Sequence, residues 1–210
     1  DDLQRRYRQA RVLALDFAFE MLRLARRRGS LLRRPTCLCA DVEALPLAEG
    51  SIDFIFSNAT LQWCNDLDRT FTELRRVLAP AGLFMFTTFG PDTLRELRAA
   101  WAEADGHGHV SPFLDMHDVG DALVRAGFDG PVLDAERLTL TYRDIRGLME
   151  DLKGLGARNA TRERARGLTG KAKWAAMRAT YESYRSDGLL PATYEVVYGL
   201  AWAPLQRELE

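Results

Sequence analysis

The sequence has 210 residues, 47% of them apolar and 28% charged, with a net charge of −1. That is enough apolar material for a sizeable core in one large or two small domains, and the charged fraction is ordinary for a soluble protein. No apolar run approaches the ~20 residues that cross a bilayer and no signal peptide is visible. The three cysteines, Cys37, Cys39 and Cys64, include no C-x-x-C pair and argue against a disulfide framework or a zinc site.

In chain order, Asp2 to Gln9 reads as the tail of a helix, and Arg11 to Leu15 as an apolar strand buried on both faces. A helix follows over Phe19 to Arg28, stopped by Gly29, then a short strand over Thr36 to Ala40. After a loop containing Pro46 comes a third strand, Ile52 to Ser57. Leu67 to Leu78 is an amphipathic helix with Phe71, Leu74, Val77 and Leu78 on one face, ended by Pro80 and Gly82. Leu83 to Phe89 is a fourth strand. Gly90-Pro91-Asp92 opens a helix to about Glu103, and Asp115 to Ala126 forms another, capped by Gly127. Val132 to Tyr142 reads as a fifth strand. Asp144 to Arg185 is helical in composition but broken by Gly154, Gly156, Gly167 and Gly170, and Tyr194 to Trp202 is a closing strand, expected antiparallel at the sheet margin. Strands alternating with helices predict an α/β, doubly wound parallel sheet.

In such sheets ligands bind at the carboxyl ends of the strands. Asp16 ends the first strand, where its carboxylate can accept from both hydroxyls of a ribose or simply cap the next helix. Phe17 beside it can lie against an adenine ring. Asp41 ends the second strand and can accept an adenine amino group while the Val42 backbone N–H meets a ring nitrogen; a plain turn is the alternative. Asn58 ends the third strand, where an amide can orient an amino-acid moiety. Gln62 and Trp63 follow, Trp63 reading as core packing. The arginines between Arg23 and Arg34 read as a solvated helix face. His107 and His109 lack the further ligands a metal site needs, so none is expected. Neither a Ser-His-Asp set nor a phosphate-binding G-x-x-x-x-G-K loop is present. Charge is uneven: Lys153 to Arg185 holds nine Lys/Arg against two Glu, a net of +7, and the remainder carries −8. A basic segment on an acidic body suggests local docking of an anionic partner, not general nucleic-acid binding.

The segments SNATLQWCNDLDRTFTELRRVLAPAGLFMFTTFGPDTLRELRAAW, SPFLDMHDVGDALVRAGF, LMEDLKGLGARN and PATYEVVYGLAW resemble the malonyl-[acyl-carrier-protein] O-methyltransferase family of biotin synthesis over nearly the whole chain. The resemblance implies a class I methyltransferase (Rossmann-like) fold in a single domain over residues 1–210, with a helical lid insertion at 144–190. It implies S-adenosylmethionine as cofactor and malonyl-acyl carrier protein as partner, with no nucleic acid or membrane partner, in a cytoplasmic monomer. By position, Asp16 is the ribose acid, Phe17 lies beside it, Asp41 and Val42 are adenine contacts, and Asn58 lies near the cofactor's methionine end. Lys153 and Arg158 are candidates to orient the substrate carboxylate. Arg162, Arg164, Arg166, Lys171 and Lys173 fall in the lid, where an acidic carrier protein would dock.

The family's first strand and Gly-rich loop are absent from this sequence. That strand sits between those ending at Asp16 and Asn58, so a gap in the sheet and weak cofactor binding by the 210-residue chain are expected. Mitochondrial complex I assembly factors, which act on a protein partner, share the F-G-x-D-T-L and M-E-D-L-x-G-x-G signatures, here from Phe89 and Met149. A non-catalytic module of the same fold is a further alternative.

Overall fold

The computed structural model describes residues 2–28, 34–104, 113–154 and 170–205. A short helix α1 (Asp2–Arg6) leads into β1 (Leu13–Asp16), α2 (Phe19–Arg28) and β2 (Thr36–Cys39). β1 and β2 pair in parallel, Leu13 beside Thr36 and Asp16 beside Cys39. Parallel neighbours need a crossover, and α2 supplies it. β1 forms no ladder with the next strand, β3 (Ile52–Asn58), so β1 and β2 stand as a sheet apart from the four-stranded one that β3 opens. This is the division expected for a chain with no strand between those ending at Asp16 and Asn58.

β3 pairs in parallel with β4 (Leu78–Phe89), and α3 (Leu67–Val77) connects them. α3 begins where the Asp66 carboxylate accepts from the Arg69 N–H, and its last turn carries Arg75 and Arg76, a charge order that suits the helix dipole. Its buried stripe is Phe71, Leu74 and Val77. β4 starts at Leu78, five residues earlier than the sequence suggests, because Leu78 is buried and pairs with Ile52. α5 (Met116–Arg125) is capped by Asp115 and followed by Gly127 at φ +79, a left-handed backbone that glycine adopts without steric cost. Phe71, Phe84, Phe86 and Phe128 meet between the sheet and helices α3 and α5, with the Phe84 and Phe86 rings stacked at 4.9 Å.

β5 (Asp129–Tyr142) and β6 (Leu190–Trp202) form the longest ladder. β6 runs antiparallel, as expected, but it lies between β4 and β5 and not at the margin. The burial pattern explains the order. β6 is apolar and largely buried through Val197 and Ala201, whereas β5 is exposed and carries Asp134, Glu136 and Arg137, charges that blunt an edge.

Phe89, the last residue of β4, pairs with Val196, so residues 190–195 of β6 project beyond the carboxyl end of β4 together with the end of β5. On this projecting arm pack α4 (Arg95–Ala104), α6 (Ile145–Gly154) and α7 (Lys171–Glu182), forming a second core around Leu97, Leu148, Met177, Tyr181 and Tyr194. The Tyr181 hydroxyl donates to the Pro191 carbonyl at 2.7 Å. The arm also shortens α4. The Gly90, Asp92 and Leu94 N–H groups go to the Glu195 carbonyl, the Glu195 carboxylate and the Thr193 carbonyl, so the helix begins at Arg95 and not at Gly90.

Candidate functional site

The polar residues at the strand ends share the carboxyl edge of the parallel strands. At the end of β1, Asp16 Oδ1 accepts the Ala18 N–H at 2.8 Å, which turns the chain into α2. Its other oxygen has no partner among the described residues, so the turn leaves an acceptor for a ligand. Phe17 is 77% exposed. Past β2, Asp41 Oδ1 accepts the Glu43 N–H at 2.9 Å, again with the second oxygen open.

The loop after Asp41 is fastened to α3. Glu43 Oε1 accepts the Asn65 N–H at 2.8 Å, and Arg69 Nε donates to the Glu43 carbonyl at 3.0 Å. Glu73 accepts the Leu45 N–H at 2.9 Å, and Arg76 donates to Glu73 and to the carbonyls of Leu45 and Leu47. The Arg76 guanidinium holds the Glu73 carboxyl below its ordinary range, and Glu73 in turn raises Arg76. Between these anchors Val42 packs against the first core, and its backbone N–H bonds to no described residue. A partly buried N–H of this kind needs an acceptor. Two open carboxylate oxygens, one open N–H and an exposed aromatic ring therefore fit a nucleoside that offers hydroxyl and amino donors, a ring nitrogen and a flat face.

At the end of β3, Asn58 stands opposite Thr87 of β4, whose hydroxyl donates to Asn58 Oδ1 at 2.6 Å. The next residue, Ala59, has φ +48, and its N–H reaches both the carbonyl and the Oγ1 of Thr87 at 3.0 Å. Gln62 Nε2 donates to the Ala59 carbonyl at 2.6 Å, while its Oε1 is buried without a partner. Trp63 is exposed and not part of the core as its composition suggests. Thr87 was not legible in the sequence, because only the β3–β4 register puts it beside Asn58.

Beside α6, Tyr142 contacts Asp151 and Tyr194, and burial pushes both tyrosine hydroxyls up in pKa. Lys153 is exposed in the last turn of α6, and Lys171 and Lys173 are exposed in the first turn of α7. The arrangement brings Asp16, Phe17, Asp41, Val42 and Asn58 to the strand ends; the three lysines sit on α6 and α7. Arg158, Arg162, Arg164 and Arg166 lie outside the described residues, as do His107 and His109.

Residues 1–86 match a family described as a methyltransferase domain. Among solved structures, the chain is similar to a putative methyltransferase from Bacillus halodurans C-125, with TM-score 0.62 at 15% identity over 92% of this chain and 83% of that one. It is also similar to the YcgJ protein of Bacillus subtilis, with TM-score 0.60 at 13% identity over 91% and 82%. The fold is that of the class I methyltransferases, a class that works with S-adenosylmethionine.

Sequence relatives narrow this further. The chain is 54% identical to the malonyl-[acyl-carrier protein] O-methyltransferase of Methylovorus sp. strain MP688, over 98% of this chain and 71% of that protein. It is 54% identical to the enzyme of the same name from Gallionella capsiferriformans strain ES-2, over 98% and 73%. The chain belongs to the malonyl-[acyl-carrier protein] O-methyltransferase family. These relatives favour that reading over the complex I assembly factor and the non-catalytic module.

Proposed function

We propose that this protein transfers the methyl group of S-adenosylmethionine to the free carboxylate of a malonyl thioester on acyl carrier protein, an early step towards the pimeloyl portion of biotin. The observation that carries the reading is the 54% identity to enzymes of that name over 98% of the chain. The open acceptors at Asp16 and Asp41 and the open N–H of Val42 support it from the side of the cofactor.

When bound, S-adenosylmethionine supplies a methyl carbon already activated by its sulfonium. The malonate carboxylate is a nucleophile as it stands, so no general base is needed. The chain's own part is alignment and exclusion of water. Asp16 and Asp41 hold the nucleoside by their open oxygens, with Phe17 against its ring. Helices α6 and α7, which pack on the projecting β5–β6 arm, serve as the lid, a helical insertion spanning 144–190 of a single domain. Lys153 and Arg158 orient the substrate carboxylate by charge; too close a pair would blunt the nucleophile. The +7 of residues 153–185 meets the acidic carrier protein. The enzyme acts as a cytoplasmic monomer. Among the described residues, no helix is long and apolar enough to cross a membrane.

Transfer of label from methyl-labelled S-adenosylmethionine tests this with the full-length protein. Malonyl carrier protein should gain label and acetyl carrier protein, which has no free carboxylate, should not. Absence of label on the malonyl species, or equal label on both, would refute the proposal.

A further inference from the structure

The hydroxyl of Thr87 has three possible roles and one proton. Its oxygen is an acceptor for the Ala59 N–H at 3.0 Å, and it lies 2.6 Å from Asn58 Oδ1. A hydroxyl carries one donor and two lone pairs. With a lone pair engaged by Ala59, the proton goes to Asn58 Oδ1. The reverse amide orientation would occupy both lone pairs of the oxygen and leave the hydroxyl proton without an acceptor among the described residues. The two N–H donors of Asn58 Nδ2 then point away from Thr87. They bond to no described residue, and Asn58 is exposed at the carboxyl end of β3.

The same hydroxyl steadies the turn. Ala59 sits in the left-handed region, which is costly for a residue with a Cβ. The bifurcated bond from its N–H to Thr87 helps to hold it there.

We propose that Thr87 is a positioning residue: by accepting from the Ala59 N–H and donating to Asn58 Oδ1, it presents the Asn58 amide as a fixed hydrogen-bond donor for a carboxylate oxygen at the strand ends. A donor already held in its bound geometry loses little conformational freedom when a ligand arrives. Two ligands of the proposed reaction carry a carboxylate, the methionyl part of the cofactor and the malonyl group. Only the second depends on the acceptor proposed above.

The test is a double-mutant cycle in the full-length protein, using Thr87→Val, Thr87→Ser, Asn58→Ala and the Thr87→Val/Asn58→Ala pair. Calorimetry measures affinity for S-adenosylhomocysteine and for 5′-methylthioadenosine, which lacks the amino-acid part; steady-state rates give KM for malonyl carrier protein. Thr87→Val should weaken one carboxylate-bearing ligand by about three- to tenfold, less than the loss of a whole hydrogen bond to a charged group, because the Asn58 amide is still present and only its positioning is lost. Thr87→Ser should keep wild-type affinity, and the pair should be no worse than Asn58→Ala. A loss confined to S-adenosylhomocysteine, with methylthioadenosine unaffected, assigns the cofactor carboxylate. A loss confined to KM assigns the malonyl carboxylate. If the protein proves inactive on malonyl carrier protein, the calorimetric arm still decides. The proposal is overturned if Thr87→Val matches wild type for all three ligands, if Thr87→Ser loses as much as Thr87→Val, or if Thr87→Val costs the same with Asn58 already removed. Thr87→Ala enters the same cycle should the valine variant not fold.

Discussion

One carboxylate at Asp16 can take two roles. Its Oδ1 turns the chain into α2 through the Ala18 N–H, which is the capping role; the other oxygen has no partner among the described residues, which suits the proposed bond to a ribose hydroxyl. Asp41 repeats the arrangement one strand along, and Val42 adds a backbone donor beside it. Hydrogen bonds to a charged group contribute roughly 1.5–3 kcal/mol each. Asp16→Ala in the full-length protein should therefore weaken S-adenosylmethionine binding by about tenfold or more, a loss of at least one such bond. Calorimetry returning wild-type affinity would remove Asp16 from the site. Thermal melting of the same variant separates the two roles, since only loss of the turn lowers stability without ligand.

The β4–β6 pair decides where the arm stands, and Gly199 decides how closely that pair can pack. Gly199 lies opposite Phe86, and a Cβ on it would come 2.1 Å from Phe86 Cζ and 2.4 Å from Cε1. The Phe86 ring cannot easily withdraw, because it is buried and stacked on Phe84 at 4.9 Å. Gly199→Ala should destabilise the protein by about 1–3 kcal/mol, the usual cost of overpacking a filled core. A lower urea midpoint with an unchanged slope would report this. An unchanged midpoint would mean that the ring finds another position. Within the arm, the Glu195 carboxylate and the Thr193 carbonyl take N–H groups of the Gly90–Leu94 segment, tying the end of β4 to the projecting end of β6.

The whole molecule is nearly neutral, yet its charge is divided, with +7 over residues 153–185 and −8 elsewhere. Capture of an acidic carrier protein by that segment should weaken with salt, since exposed charges are screened beyond ~8 Å at physiological ionic strength. Reversing Arg162, Arg164 and Arg166 to Glu should raise KM for malonyl carrier protein at low salt. Activity on a small malonyl thioester should change little, because the loss is of docking and not of contacts at the reacting atoms. Equal KM values for the reversed and native proteins would return these arginines to the status of a solvated surface.

Local pattern made much of this protein legible before its fold was known. An apolar run closed by Asp16, Asp41 or Asn58 shows a strand and its carboxyl end together, because both depend on residues adjacent in the chain. The helix starts near Leu67 and Asp115 and the stop at Gly127 were legible for the same reason. Features that rest on pairing between distant segments were not. The place of β6 inside its sheet, the early start of β4 at Leu78 and the loss of the first turn expected for α4 all follow from ladders and hydrogen bonds to strands far along the sequence. Thr87 belongs with them. Nothing in Thr87-Thr88-Phe89 distinguishes it from any polar residue of a strand, and only the parallel register with β3, 29 positions away in sequence, puts its hydroxyl against Asn58.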